Sequence, residues 1–439
     1  MAAVRTSPVS CRHHNQSHSL AHSNQQQLTR SAPVPLGSAM AGRACWRSLA
    51  VVVAVVGAAA ATAVAEPQVP CYFVFGDSLV DNGNNNGIVS LARANYPPYG
   101  VDFAGGPTGR FSNGLTTVDV ISQLLGFDDF IPPFAGATSD QLLTGVNFAS
   151  AAAGIREETG QQLVRAPPSP RPRSPANKLD QEFKTYVRTY VNGAACMQGG
   201  RISFSGQVQN YQSAVEQLVS IMGDEGAAAN RLSQCIFTVG MGSNDYLNNY
   251  FMPAFYDTGS RYTPTQYADD LAARYTQLLR ALYSYGARKV ALIGVGQVGC
   301  SPNELATQSA NGVACVDRIN VAVRMFNQRL VGMVDQFNRL LPGAHFTYIN
   351  IDGIFSDILR APGGHGLRVT NRGCCGVGRN NGQVTCLPFQ TPCPNRNEYL
   401  FWDAFHPTEA ANVLVGQRAY AARLASDVHP VDISTLAHL

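Results

Sequence analysis

Charge is scarce in this 439-residue chain, where Asp, Glu, Lys and Arg make up 14% of residues against 45% apolar ones. That balance, with 41 Gly and 25 Pro in no period, excludes a disordered tail, a coiled coil and a collagen-like repeat. Long hydrophobic runs are missing too. The nearest, Leu49 to Ala65, has 17 residues and is broken by Thr62, short of the roughly 18 unbroken apolar residues that mark a membrane span. Acidic residues are absent altogether from 1–65, which carry Arg5, Arg12, Arg30, Arg43 and Arg47.

Within that acid-free stretch Met40 opens a tighter pattern. Arg43 and Arg47 form a basic start, Leu49 to Ala61 an Ala/Val-rich stretch, and Ala63-Val64-Ala65 a small-residue cleavage site. These are the three parts of a secretory signal. Residues 40–65 are therefore read as a cleaved signal peptide, in preference to a retained anchor. Residues 1–39 are read as a non-native extension ahead of the true start, in preference to an organellar transit peptide.

A second foreign stretch, Val164 to Gln198, runs through Pro167-Pro168-Ser169-Pro170-Arg171-Pro172-Arg173. Structureless loops of this length are uncommon inside compact domains. It is read as a disordered insertion in a single domain spanning 66–439. Its ends admit the boundary nucleotides of a retained intron, GT in the Val164 codon and AG in that of Gln198. Without the two stretches, 21 basic and 27 acidic residues remain, so the formal net charge of +3 becomes −6. Nucleic acid is not an expected partner.

Eight cysteines lie outside these stretches: Cys71, Cys235, Cys300, Cys315, Cys374, Cys375, Cys386 and Cys393. An even set behind a signal peptide suggests disulfides. Cys300 with Cys315 is the expected local bridge, while Cys71 and Cys235, in apolar strands, read as buried thiols. Zinc is the competing reading of the last four, but they lack the paired spacing of a zinc site.

Short apolar runs at 71–75, 146–149, 235–239, 289–293 and 346–349 read as strands. Between them, Leu271, Tyr275, Leu278 and Leu282 keep helical spacing after Thr263-Pro264, as do Ile319, Val323, Phe326, Leu330, Val334 and Phe337. This alternation predicts an open α/β domain whose parallel sheet of about five strands is covered on both faces.

Ligands bind beyond the carboxyl ends of such strands. There stand Gly76-Asp77-Ser78-Leu79, the turn ending at Gly154, Gly242-Ser243-Asn244-Asp245, and the Asp403/His406 pair. A serine hydroxyl attacks an ester carbonyl only when a base takes its proton, and histidine is suited to that near neutral pH. Asp403 can fix the imidazole tautomer, and the Ser78 and Gly154 N–H groups with the Asn244 side chain can receive the oxyanion. Each signal alone is a turn former or a helix cap. Together they point to acyl-ester chemistry that uses no cofactor and no metal.

Gly76-Asp77-Ser78-Leu79, Gly242-Ser243-Asn244-Asp245 and Asp403-Ala404-Phe405-His406-Pro407 resemble the signature blocks of the GDSL esterase/lipase family, the SGNH hydrolases. The similarity to its secreted plant-type members runs from Cys71 to about Ala422 and includes Gly109-Arg110-Phe111-Ser112-Asn113-Gly114. It implies a flavodoxin-like three-layer αβα sandwich, with Ser78 as nucleophile, His406 as base, Asp403 as its partner, and Gly154 and Asn244 completing the oxyanion hole. It also implies an extracellular monomer of the cell wall or apoplast acting on a small-molecule or lipid ester.

Other readings are weaker. The G-x-S-x-G elbow of the α/β-hydrolase fold is absent. Gly294-Val295-Gly296-Gln297-Val298-Gly299 fits a dinucleotide fingerprint, but Cys300-Ser301-Pro302 follows and no second βαβ strand comes at the required distance. An inactive binding protein would commonly have lost one of the five site residues. An acyltransferase sharing the acyl-enzyme stays open on sequence alone.

Overall fold

The structure is a computed structural model that describes residues 66–163 and 200–439. The signal peptide, the 1–39 extension and the 164–198 insertion fall outside the described residues.

Four apolar five-residue runs form parallel strands β1 (Tyr72–Gly76), β2 (Ile236–Gly240), β3 (Lys289–Ile293) and β4 (His345–Ile349), adjacent in that order. Side chains alternate between faces along a strand. Phe73 and Phe75 accordingly join one core and Tyr72 and Val74 the other. The first core is roofed by helices Phe204–Met222, Pro264–Ser284 and Asp317–Leu340; the second by Thr117–Leu124, Ile351–Arg360 and Glu409–Tyr420. The result is the expected three-layer αβα arrangement. The Pro264–Ser284 helix starts as its sequence indicates, with Pro264 in the first turn and a reciprocal cap between Thr263 and Gln266.

Two strand expectations need correction. The 146–149 run lies parallel to β1, with Phe148 N–H donating to the Val74 carbonyl at 2.7 Å, but it forms only two isolated bridges at Asn147, to Val74 and to Pro133. Its pairing stops at Gly76, whose N–H donates to Gln207 Oε1 at 3.0 Å instead of to this run, while on the side away from β1 Asn84 Nδ2 donates to the Asn147 and Ala149 carbonyls at 2.8 and 2.7 Å. The fifth strand of the sheet is instead β7 (Val428–His429), antiparallel to β4. Between them in sequence, β5 (Val369–Gly373) and β6 (Tyr399–Phe401) form a separate two-stranded sheet.

The cysteine reading is also corrected. Cys71 and Cys235 are disulfide-bonded rather than free, because the β1–β2 register that pairs Tyr72 with Ile236 sets them side by side, Cα–Cα 4.8 Å. Cys300–Cys315 is bridged as expected. Cys374–Cys393 and Cys375–Cys386 occupy the four sulfurs that a zinc site would have needed. Among the described residues no helix is long and apolar enough to cross a membrane.

Candidate active site

Adjacent strands carry their carboxyl ends to one edge of the sheet, and Gly76 of β1 pairs with Gly240 of β2. Ser78 stands two residues past the first end and Asn244 four past the second. Gly76 has no room for a side chain, since a Cβ there would lie 2.4 Å from Val80 Cγ2. Its backbone is held by Gln207, whose amide accepts from Gly76 N–H at 3.0 Å and donates to Gly76 O at 2.8 Å. Gln207, completely buried, was not singled out in the sequence.

From the far end of the chain, the loop after β6 brings Asp403 and His406. Asp403 Oδ1 accepts the backbone N–H groups of Phe405 and His406, each at 2.8 Å, closing a tight turn on its own side chain. The same carboxylate meets His406 Nδ1 at 2.8 and 2.9 Å. With the ring proton on Nδ1, His406 Nε2 is free to accept from Ser78 Oγ, 2.7 Å away. Phe111, from the Gly109–Gly114 motif, packs on the imidazole with ring centroids 4.8 Å apart. Burial opposes ionisation of Asp403, but His406, Tyr99 and the Phe405 N–H together outweigh it, so the carboxyl lies below its usual range.

Gly154 and Asn244 are joined by another set of bonds. Asn244 Nδ2 donates to Ala153 O at 2.9 Å, which leaves its second amide proton uncommitted by that bond. Asp245 accepts from Ile155 N–H at 2.8 Å, Arg156 N–H at 3.0 Å and Thr159 Oγ1 at 2.8 Å, fixing the turn after Gly154. A Cβ on Gly154 would meet Thr159 at 2.4 Å. The Asp81–Asn86 run wires the preceding segment. Asp81 Oδ2 accepts from Ala151 N–H at 2.9 Å, and Asn85 Nδ2 donates to Ala151 O at 3.1 Å. His406 thus links Ser78 to Asp403, and the residues on either side of Gly154 are tied to Asn244 and Asp245.

Tyr99 and Thr385 also reach the site without having been singled out. Both donate to Asp403 Oδ2, at 2.6 and 3.1 Å. They lie 304 and 18 residues from it in sequence, so no local spacing announces them. The glycine run at 294–299 lacks the structural context of a dinucleotide fingerprint, as its sequence indicates. It leads into a short 3₁₀ turn (Val298–Cys300) and a six-residue helix (Pro302–Thr307), not a phosphate-cradling helix, and Gly294 and Gly296 line a cleft.

That cleft runs between the sheet and the second helix layer, is lined by Leu79, Phe405 and Pro407, the chain neighbours of Ser78 and His406, and has a volume of about 100 Å³. Leu79, Val298, Ile351, Phe355, Phe405 and Val415 make its wall largely apolar.

Burial pushes the carboxyls of Asp77, Asp81 and Asp245 up to about 6, against the backbone N–H groups that favour their charged forms. Unfolded, such groups titrate near about 4. The native state therefore binds protons more readily than the unfolded chain across that interval. Their stabilising contribution is full below it and is lost as pH rises through about 6. The expected result is a higher melting temperature at pH ~5 than at pH ~7; a steady rise over that range would contradict it.

A parallel sheet that sets a serine against a buried His–Asp pair has the architecture of a hydrolase acting on ester bonds. The sequence pattern of the GDSL-like Lipase/Acylhydrolase family matches residues 72–419. A GDSL esterase/lipase of Arabidopsis thaliana is 59% identical over 374 residues, 85% of this chain and 94% of its own. A second from the same organism is 58% identical over 377 residues, 86% of this chain and 95% of its own. The chain belongs to the GDSL-like lipase/acylhydrolase family.

Proposed function

We propose that the protein is a secreted serine esterase or lipase that cleaves acyl esters through an acyl-enzyme on Ser78. The contact that carries this reading is Ser78 Oγ to His406 Nε2 at 2.7 Å, with Asp403 on the other ring nitrogen. In the first step Ser78 Oγ bonds to the ester carbonyl carbon while His406 takes its proton. The carbonyl oxygen becomes an oxyanion facing the Ser78 and Gly154 N–H groups and the Asn244 amide. Collapse breaks the bond to the alcohol oxygen, which leaves with the proton from His406. Water then repeats the sequence on the acyl-enzyme, releasing the acid and restoring Ser78. The signal pattern at 40–65, with four disulfides, supports export to an oxidising compartment.

The apolar cleft suits the acyl chain, and this is tested with an ester series of increasing acyl length on one alcohol. Specificity, kcat/KM, is expected to rise from acetyl esters to esters of six or more carbons, by about 10-fold or more. A preference for acetyl esters would place the acyl group elsewhere. Asn244→Ala is expected to lower kcat by roughly 10²–10³ with little change in KM, because one of three oxyanion donors is lost. A change confined to KM would make Asn244 a substrate-binding residue instead.

A further inference from the structure

The Asp403 carboxylate is held by more than the imidazole it faces. Oδ1 is engaged by two backbone N–H groups of its own turn. Oδ2 receives two hydroxyls, Tyr99 at 2.6 Å and Thr385 at 3.1 Å, and the two hydroxyls are themselves 3.2 Å apart. They arrive from different parts of the chain.

Tyr99 is buried and packs edge-on against Phe111 and Trp402, with centroids 5.9 and 6.2 Å away. Phe111 is the ring lying on His406. The following Gly100 takes φ +66° and donates to Ser112 O at 2.9 Å, tying this loop to the Gly109–Gly114 motif. Thr385 precedes Cys386, which is bridged to Cys375. Cys375 N–H in turn donates to Trp402 O at 2.7 Å, one residue before Asp403. The disulfide-closed loop is therefore anchored to the strand that presents the carboxylate.

We infer that Tyr99 and Thr385 are positioning residues for the proposed reaction: their two hydroxyls fix the Asp403 carboxylate in the plane of His406 and share its negative charge. The inference rests on the Ser78–His406–Asp403 reading above. Each hydroxyl has two consequences. Holding Oδ2 stops the carboxylate from rotating away from Nδ1, so the imidazole stays aimed at Ser78. Drawing charge onto Oδ2 weakens the pull of Asp403 on an imidazolium, so His406 gives its proton to the leaving alcohol more readily. Burial and then the Asp403 charge hold the Tyr99 phenol well above its usual range, which keeps it a donor. The titratable groups around this network are few. Asp403 faces His406 and Tyr99, His406 also feels the Asp77 carboxyl, and Tyr96 lies against Tyr99.

The test compares Tyr99→Phe, Thr385→Val and the double variant with the parent, each rate divided by active sites counted with a fluorophosphonate probe. Tyr99→Phe removes one oxygen from a packed ring and leaves the aromatic contacts. Per titrated site, kcat is expected to fall about 10-fold with KM unchanged. The acid limb of the kcat/KM profile is expected to move to higher pH by about half a unit, because the concentrated carboxylate charge favours imidazolium. Thr385→Val should move both readouts in the same directions by less, Thr385→Ser should recover most of that loss, and the double variant should show the largest shift. Tyr420→Phe, which removes a hydroxyl bonded to Gln68 far from the site, should move neither. A variant that merely unfolds loses titratable sites without shifting the acid limb. Unchanged kcat per site and an unmoved acid limb in the double variant would overturn the inference. Ser78→Ala is run alongside: if it still reacts with the probe and turns over ester, the underlying mechanism has failed instead.

Discussion

Ser78→Ala is expected to lower kcat by about 10⁵ or more, the size of loss seen when a serine nucleophile is removed from a triad. What remains is the part of catalysis that needs no nucleophile, the oxyanion donors and substrate binding. The substitution deletes one oxygen, whose side-chain hydrogen-bond partner among the described residues is His406 Nε2 at 2.7 Å. Ser78 is half-buried and lies beyond the end of β1, outside both helix-covered cores. Folding should therefore be unaffected, and the melting temperature of the variant should match the parent within a few degrees. A fluorophosphonate probe should label the parent and not the variant. Retention of activity within about tenfold of the parent would remove Ser78 from the mechanism altogether.

The layers were legible because their signals are local. The runs at 235–239 and 346–349 differ by one residue from the observed Ile236–Gly240 and His345–Ile349, and 289–293 matches β3. The helices Pro264–Ser284 and Asp317–Leu340 likewise announce themselves by apolar spacing. The failures share a cause in distance. Val146–Ala149 has the composition of a strand, but the Gly76 N–H that would continue its pairing with β1 goes to Gln207, 131 residues further on. β7 has two residues and exists by pairing antiparallel with Tyr348 and Ile349 of β4, a contact no pattern over 428–429 could show. The Cys71–Cys235 bridge spans 164 residues and depends on β1 and β2 being neighbours. The site divides in the same way. Asp403 and His406 are three residues apart and lock each other within one turn, whereas Gln207, Tyr99 and Thr385 become neighbours of the site only after the sheet and the disulfide loop have formed.

Asp403→Asn is expected to lower kcat by about 10⁴ while leaving the fold intact. The reason lies in who donates to each oxygen. Two backbone N–H groups, from Phe405 and His406, point at Oδ1 at 2.8 Å and cannot turn away, so the asparagine oxygen must take that place. The amide nitrogen then occupies the position of Oδ2, 2.9 Å from His406 Nδ1 in the parent, while the asparagine oxygen stays 2.8 Å from the same nitrogen. His406 Nδ1 then faces a donor as well as an acceptor. The tautomer with its proton on Nε2, which accepts from the amide, is favoured relative to the parent, and in that tautomer His406 cannot accept the Ser78 proton. Tyr99 and Thr385 can rotate their hydroxyls to accept from the amide, so the buried position stays hydrogen-bonded. Stability near neutral pH should fall modestly, because the lowered titration range of Asp403 means that its ionised form favours the fold and a neutral amide forgoes that contribution. The stability that the ionised Asp403 contributes above its lowered titration range, and loses as pH falls through it, should vanish from the acid side of the pH profile of melting. A large loss of turnover with a melting temperature only modestly lowered near neutral pH is the expected pair of results. Activity within tenfold of the parent would leave Asp403 with a structural role only.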